Sequence, residues 1–535
     1  MARTAPIVAL ALIAAACAPG KQKEAPPGLG RRVHAGPIRA LQPSPDGASL
    51  AFLDGCQDVK AQFLPPQTAR CDLRVAAATG GEAARVAAGV TTLPHGVTWS
   101  PDGKALLVLA DYDHASAGGT LVLWRGGAAR PLAEGVTFHG FGAHGEVGLI
   151  AGGKLSVMLP EDTAPRAVKG ADAVASFDLS PAEFPACPRA HGDGLLVASP
   201  DGLIVRLVAR RTYAAGGQLL VSDCALREAT PFEKGQVGDY GFSQASPYLA
   251  YTVRRKDGAA LKLVQTASRL VATELGRDVG RFAFGPDGRT VAFVADVVPG
   301  KQGNLHLGAP GQKDRILARE VGEFRWAKGA PRLAWLEKYD PRVRSGVLGV
   351  GGPDVAPRSF AQNVSELEIS ADGKHVAFLQ HTTRGGYSVD LAVIGVDGPA
   401  GAKPSPVAQG VFGFAFSPDG RWLYYRTRCV RNADACDLER VPAEGLAPGT
   451  KPEGIAAGVK SFEFDPRDPG RLLVGWQRMD LVALDIGVWE QGKVTSIDTA
   501  VLPGSARFLG PDSRRVAYIV AHAKRAGVYV AEVPR

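Results

Sequence analysis

Ser417-Pro-Asp-Gly420 stands between two short apolar segments, Phe414-Ala-Phe416 before it and Arg421-Trp-Leu-Tyr-Tyr425 after it. Proline fixes φ at about −65° at the second turn position, the aspartate side chain bonds back to the backbone, and glycine adopts a positive φ. The flanking segments carry apolar residues at alternate positions, which is the period of a β-strand. This stretch therefore predicts a tight hairpin between two strands.

The same turn recurs along the chain. Four further copies are Ser44-Pro-Asp-Gly47, Ser100-Pro-Asp-Gly103, Gly285-Pro-Asp-Gly288 and Ser370-Ala-Asp-Gly373, and weaker copies begin near Phe324, Phe462 and Phe508. The copies at Ser370 and Ser417 are 47 residues apart. A period of roughly 40–50 residues with four short strands is typical of a β-propeller blade. The turn residues to which we assign the repeat are Pro45, Asp46, Gly47, Pro101, Asp102, Gly103, Pro286, Asp287, Gly288, Asp372, Gly373, Pro418, Asp419 and Gly420.

The repeat predicts an all-β chain of eleven or twelve four-stranded blades. Copies between about 137 and 260 are eroded, and Ser199-Pro-Asp-Gly202 is read as a possible extra hairpin. Because single propellers usually hold roughly four to eight blades, we expect two rings. We place the first, of five or six blades, at residues 33–275 and the second, of six blades, at 276–535. A return of residues 31–36 to pair with Val528-Tyr-Val530 would change this partition.

These hairpins resemble the TolB-like propeller repeats, which are relatives of WD repeats and share the pattern aromatic, Ser-Pro-Asp-Gly, Lys or Arg, then apolar residues. The resemblance covers residues near 36–535. It implies a bacterial envelope protein that binds proteins or peptides through a propeller face or channel. Some TolB-like propellers are fused to an α/β-hydrolase peptidase, but here the repeats continue to Arg535, so we expect no such domain.

The N-terminus predicts export. Residues 1–17 contain one early arginine, a short apolar run from Ile7 to Ala16, and then Cys17, which resembles a lipoprotein signal that ends at a lipidated cysteine. The family pattern has Leu three residues before the cysteine, where this chain has Ala14, so cleavage without lipid stays open. Residues 18–32 are rich in Pro, Gly and charge and predict a flexible tether. We expect a location in the periplasm or at the cell surface, on the outer membrane of a Gram-negative bacterium.

The other six cysteines predict disulfides, which persist in oxidising compartments. Two pairs, Cys56 with Cys71 and Cys429 with Cys436, bracket loops between neighbouring predicted strands. By elimination Cys187 pairs with Cys224. Free buried thiols are the alternative. No spacing matches C-x-x-C, so the cysteines predict neither a zinc site nor a thioredoxin-like centre.

Charge and motifs point away from several function classes. The net charge of +8 over 535 residues is dilute and its arginine doublets are scattered, so we expect no nucleic-acid partner. Gly241-Phe-Ser-Gln-Ala245 lacks the following helix of a hydrolase elbow, and Gly140–Gly145 lacks the helix of a dinucleotide site. His139 with His144, and Asp111 with Asp113 and His114, are read as solvated loop residues rather than metal ligands.

The sequence therefore favours a non-enzymatic binding scaffold, held to a membrane by its lipid anchor, whose partner is an envelope protein or peptide. It predicts no catalytic residue, no cofactor and no metal. The alternative is an enzyme, a hydrolase or lyase acting on sugars or lactones, with its active site in the central channel. The fold supports both functions, so the choice between them rests partly on the resemblance.

Overall fold

The structure is a computed structural model of the chain. It describes the following residues: 28–59, 68–180, 205–213, 216–222, 225–256, 258–266, 271–297, 302–381, 389–398, 401–430, 435–446, 449–477 and 483–533. Cys17, Cys187, Cys224 and the Ser199–Gly202 phrase lie outside these residues. Within them, no helix has the length and apolar character needed to cross a membrane.

The described chain is all-β, as predicted, apart from one 3-10 turn at Pro94–Gly96. Its strands pair antiparallel with their neighbours in sequence. Strands of the N-terminal half are β1 (Arg31–Ala35), β2 (Ile38–Pro43), β3 (Ser49–Asp58), β4 (Ala69–Ala77), β5 (Ala84–Thr91), β6 (Val97–Trp99), β7 (Ala105–Asp113), β8 (Gly118–Arg125), β9 (Ala128–Phe141), β10 (Val147–Ala151), β11 (Lys154–Met158), β12 (Arg166–Ala167), β13 (Val174–Leu179), β14 (Leu207–Tyr213), β15 (Gly216–Ser222), β16 (Ala229–Phe242), β17 (Tyr248–Arg255), β18 (Gly258–Gln265) and β19 (Thr273–Gly276).

Strands of the C-terminal half follow the same pattern. They are β20 (Arg281–Phe284), β21 (Val291–Ala295), β22 (Asn304–Gly308), β23 (Arg315–Ala318), β24 (Glu323–Trp326), β25 (Leu333–Asp340), β26 (Ser345–Gly352), β27 (Val355–Ile369), β28 (His375–His381), β29 (Val389–Gly395), β30 (Ser405–Gln409), β31 (Gly413–Phe416), β32 (Trp422–Val430), β33 (Ala435–Pro442), β34 (Glu453–Phe464), β35 (Leu472–Gln477), β36 (Leu484–Glu490), β37 (Lys493–Val501), β38 (Arg507–Leu509), β39 (Arg515–Val520) and β40 (Gly527–Glu532).

Four successive strands form one unit, and we number the units along the chain. The long strands β9, β16, β27 and β34 each serve as the fourth strand of one unit and the first strand of the next. The described units are 1 (β2–β5), 2 (β6–β9), 3 (β9–β12), 4 (β13–β16), 5 (β16–β19), 6 (β20–β23), 7 (β24–β27), 8 (β27–β30), 9 (β31–β34), 10 (β34–β37) and 11 (β38–β40 with β1).

Unit 11 takes its fourth strand from the beginning of the chain. Arg31 pairs with Val530 and Ala35 pairs with Gly527, so β1 lies antiparallel beside β40. The pairing of residues 31–36 with the C-terminal strand, stated above as an alternative, is therefore present. One unit thus joins the two ends of the described chain.

Each unit packs on the next. Every one of the hydrophobic clusters in the described chain contains side chains from two consecutive units. Unit 11 packs back onto unit 1 through a cluster that includes Leu50, Phe52, Ile519 and Val528. The expected boundary near residue 275 falls between units 5 and 6, which share their own cluster.

The repeated turns have one shared geometry. In the Ser417 copy, the Ser417 hydroxyl donates to the Asp419 carboxylate at 2.5 Å. The same carboxylate accepts the N–H of Arg421 at 3.1 Å. The N–H of Trp422 donates to the Ser417 hydroxyl oxygen, and the N–H of Gly420 to the Ser417 carbonyl. The same bonds recur in the copies at Ser44, Ser100 and Ser370. Hydrogen bonds of the serine and aspartate side chains within the turn therefore stabilise each hairpin.

Neighbouring turns also contact each other. A Cβ on Gly47 would lie 2.3 Å from the backbone nitrogen of Gly510, which belongs to the turn of unit 11. The Ser246 hydroxyl of unit 5 donates to the Gly288 carbonyl of unit 6. The turn glycine is thus required twice, by its positive φ of 68° at Gly47 and by the close approach of the next unit.

We expect Gly47→Ala to destabilise the fold more than Gly126→Ala does. Gly126 has a similar φ of 60°, but a Cβ there would meet no atom within 4 Å. Gly126→Ala, the control, should therefore lower the unfolding free energy only by the backbone strain of about 1 kcal/mol. Gly47→Ala should lower it by this strain and by a further 1–3 kcal/mol, roughly, from the backbone clash. Urea denaturation of both variants checks this expectation, and equal losses of unfolding free energy would contradict it.

Candidate binding face

The strand order gives the described units two different ends. The turn face carries the turns between first and second strands and between third and fourth strands. The loop face carries the loops between second and third strands and the connections between units. The two kinds of loop-face segment touch, because the N–H of Tyr339 donates to the Glu320 carbonyl and the N–H of Phe412 donates to the Arg426 carbonyl.

Two disulfides close loops on the loop face. Cys56–Cys71 joins the ends of β3 and β4, and Cys429–Cys436 joins β32 and β33. Both are the pairs that the loop positions predicted. The remaining predicted pair, Cys187 with Cys224, lies outside the described residues and stays a prediction. A disulfide at the base of a loop restricts the unfolded chain, by about 3 kcal/mol for a loop of roughly 15 residues.

Four of the eight large apolar side chains that are exposed in the described chain lie on the loop face of units 6 to 9. Val343 and Phe412 are both 62% exposed, Val430 is 60% exposed and Val297 is 40% exposed. Val297 and Val343 lie in second-to-third-strand loops, Val430 is the last residue of β32 at the start of such a loop, and Phe412 lies in the connection between units 8 and 9. Single exposed apolar residues are normal on a protein surface, so what these four share is the end of the unit on which they lie.

The loops that carry these side chains are held by local bonds. In the loop after β25, the N–H of Arg342 donates to the Asp340 carboxylate at 2.8 Å. This hydrogen bond fixes the turn that presents Val343. The Arg426 guanidinium lies 5.5 Å from the centre of the Phe412 ring. Cation–π contacts at exposed sites contribute roughly 0.5–1 kcal/mol. Local contacts thus hold the turn before Val343 and the ring of Phe412.

The first strands carry acidic side chains that join neighbouring units. The Glu368 carboxylate of unit 8 accepts the N–H of Phe416, in unit 9, at 3.3 Å. Glu463 of unit 10 lies 3.5 Å from Arg507 of unit 11. Burial raises the pKa of Glu368 and of Glu463. Because their oxygens bond to the adjacent unit, these carboxylates connect the first strands.

The motifs weighed in the sequence occupy turns. The Ser243 hydroxyl is buried and accepts the N–H of Ala245 and of Ser246, so it holds a turn in the way that the repeat serines do. Gly140–Gly145 spans the end of β9 and the turn into β10. In the described part of the chain, no three metal-ligating side chains converge. Asp113 accepts the N–H groups of Ala115 and Ser116 in its loop.

His95, in the connection between units 1 and 2, and His114, in unit 2, lie near Tyr112 on the loop face. His95 Nε2 is 3.1 Å from the Tyr112 hydroxyl, and the ring centres of His114 and Tyr112 are 4.9 Å apart. Burial lowers the pKa of His114. Burial, with the nearby positive charge of His95, lowers the pKa of His139 to about 4. Residue spacing alone could not reveal the contacts of His95 and His114 with Tyr112, since they depend on how the connection between units 1 and 2 packs on unit 2.

We expect the described fold to lose stability on acidification because of His139. Its pKa in the folded state lies below the unfolded value of about 6.5, so the unfolded chain binds the extra proton between about pH 6.5 and 4. Stability from this residue is present above that window and falls as the pH drops through it, by up to about 3 kcal/mol.

Urea denaturation between pH 7.5 and 4.5 measures this effect. His139→Gln cannot titrate and should show a weaker loss of unfolding free energy on acidification than the wild type. Thr137→Gln, an exposed position on the same strand, should keep the wild-type dependence. A His139→Gln variant with the full wild-type dependence would assign the effect to other groups.

Comparisons with known proteins give only distant likenesses. No protein-family model matches this chain, and no curated protein matches it. Three solved structures are similar in part. A eukaryotic initiation factor has 12% identity and a TM-score of 0.40 over 74% of this chain and 96% of its own. An oligogalacturonate lyase in complex with manganese has 14% identity and a TM-score of 0.31 over 61% and 97%.

The third structure is the Dos1 propeller, with 10% identity and a TM-score of 0.35 over 70% of this chain and 97% of its own. These neighbours include a lyase and a propeller, so they do not decide between an enzyme and a binding scaffold. At such identities and TM-scores we base the propeller-like fold on the strand pairing and unit packing described above.

Proposed function

We propose that this chain is an exported, TolB-like β-propeller scaffold that binds a protein or peptide of the cell envelope through its loop face. The observation that carries the proposal is the exposure of four apolar side chains on this face, Val297, Val343, Phe412 and Val430. Loops on a rigid scaffold are the usual place for binding residues. Each exposed side chain gains by leaving water when a partner covers it.

Export to the periplasm or cell surface is supported by the two disulfides, since disulfides persist mainly in oxidising compartments. Lipidation at Cys17 would add a membrane anchor. Strand β1 runs from the turn face at Arg31 to the loop face at Ala35. An anchor that approached the body from the Arg31 end of β1 would leave the loop face free for a partner.

We further propose that the units are blades of one circuit. The sequence predicted two rings divided near residue 275. Support for a single circuit comes from the cluster shared by units 5 and 6, and from the packing of unit 11 on unit 1. In one circuit the fourth strand of unit 11, β1, holds the first and last units together.

Lipidation is tested by metabolic labelling. We expect radiolabelled palmitate to enter the wild-type protein produced in a Gram-negative host and not the Cys17→Ser variant. An Ala14→Leu variant, which restores the usual residue of lipoprotein signals, should be labelled at least as well as the wild type. Equal labelling of wild type and Cys17→Ser would reject the anchor.

Binding through the loop face is tested by photo-crosslinking in cells of the native source. A photoreactive amino acid at Val343 should give a discrete adduct with another envelope protein. Val271 supplies the matched control, because it is 70% exposed and lies between the third and fourth strands of unit 5, on the turn face. Adducts of equal yield at both positions, or none at Val343, would contradict the proposal.

A further inference from the structure

An open surface cavity of about 520 Å³ lies where β40 meets β1, and three of its lining residues, Leu29, Arg31 and Glu532, are exposed to solvent. Its walls come from three distant parts of the sequence. Residues just before and within β1 form one wall, the turn after β4 forms the second, and β39 with β40 forms the third. It lies apart from the exposed apolar groups of the loop face, which belong to units 6 to 9.

The strand register places three charged residues in a row on one side of unit 11. Arg31 pairs with Val530 across β1 and β40, and Arg515 pairs with Glu532 across β39 and β40. Residues opposite each other, or two apart on one strand, point to the same side of a sheet. Arg31, Glu532 and Arg515 therefore share the side that borders the cavity.

These three charged side chains form no ion pair with one another. Arg515 donates to the Gly47 carbonyl at 3.4 Å, which leaves the rest of its guanidinium toward the cavity. Among the described residues, neither Arg31 nor Glu532 has an ion-pair partner. A cation and an anion that border one cavity without meeting each other are complementary to a ligand that carries both charges.

Glycine makes room for the arginine of this row. Gly80 has a φ of 92°, and a Cβ at that position would lie 2.6 Å from a guanidinium nitrogen of Arg31. The Arg31 side chain thus lies against bare backbone. Because position 80 carries no side chain, the Arg31 guanidinium can lie beside the cavity.

The remaining lining comes from Leu29, Ala78, Thr79 and Val530, of which only Thr79 is polar. Ligand sites of roughly 300–1,000 Å³ typically combine an apolar wall with a few polar groups that fix orientation. Guanidinium groups bind carboxylates in a planar, two-bonded geometry, and a carboxylate binds an ammonium group.

We propose that this cavity binds a small zwitterion, an α-amino acid or short peptide with an apolar side chain. Its carboxylate pairs with Arg31 and Arg515, its ammonium group pairs with Glu532, and its side chain packs against Leu29, Ala78 and Val530. The ligand contacts β1, unit 1 and unit 11 together, so it binds only the folded chain and raises its stability by mass action.

Calorimetry and thermal melting of the full mature protein test the proposal with leucine and leucyl-leucine as probes. At least one of them should bind and raise the melting temperature. N-acetyl-leucine lacks the ammonium group and leucinamide lacks the carboxylate, so each should bind at least about tenfold more weakly than leucine. Inorganic phosphate is the probe for a simple anion site.

Variants locate the site. Glu532→Gln should weaken leucine binding about tenfold and leave N-acetyl-leucine unaffected, and Arg31→Gln should weaken both. Arg514→Gln, an exposed neighbour that does not line the cavity, should bind as the wild type does. Circular dichroism of Glu532→Gln checks that it folds. No binding of either zwitterion at about 10 mM, equal binding of phosphate, or an equal effect of Arg514→Gln would overturn the proposal.

Discussion

A four-stranded unit of this chain is apolar on both faces of its sheet, and it can bury both only between two neighbours. Phe293 illustrates the constraint. It is fully buried in unit 6 and packs in the cluster shared with unit 5, while Val294, the next residue, packs in the cluster shared with unit 7. Alternate residues of one strand thus serve opposite neighbours. The order of the units along the chain, the closure by β1 and the exposure of the loops all depend on this two-sided burial.

The repeated turn makes this packing possible at close range. The Ser–Asp–Gly bonds are satisfied within each hairpin, so the turn needs no partner from the neighbouring unit. Its backbone is then free to lie against the backbone of the adjacent turn, as Gly47 does against Gly510. The same few turn residues therefore determine both the hairpin and the packing of one unit on the next.

The sequence was informative where structure is local. The turn residues, the alternating strands and both loop disulfides are encoded within about 20 residues each, and the structure contains them where they were predicted. The placement of His95 and His114 beside Tyr112 could not be read in this way, because it depends on how the connection between units 1 and 2 packs on unit 2. The same holds for the cavity beside Arg31, whose walls join residues 31 and 532. Exposed single residues such as Phe412 also carry no signal in one sequence, since their meaning depends on which end of the unit they occupy.

The strand that completes unit 11 also has a mechanical consequence. The described chain enters β1 through residues 28–30, and β1 lies antiparallel to β40 from Arg31↔Val530 to Ala35↔Gly527. A pull on that leading segment along the strand axis loads these hydrogen bonds together, in shear, instead of opening them one after another. Tension arriving from the N-terminus is therefore resisted by the joint between the two ends of the polypeptide, and the body yields there only when the whole strand slides.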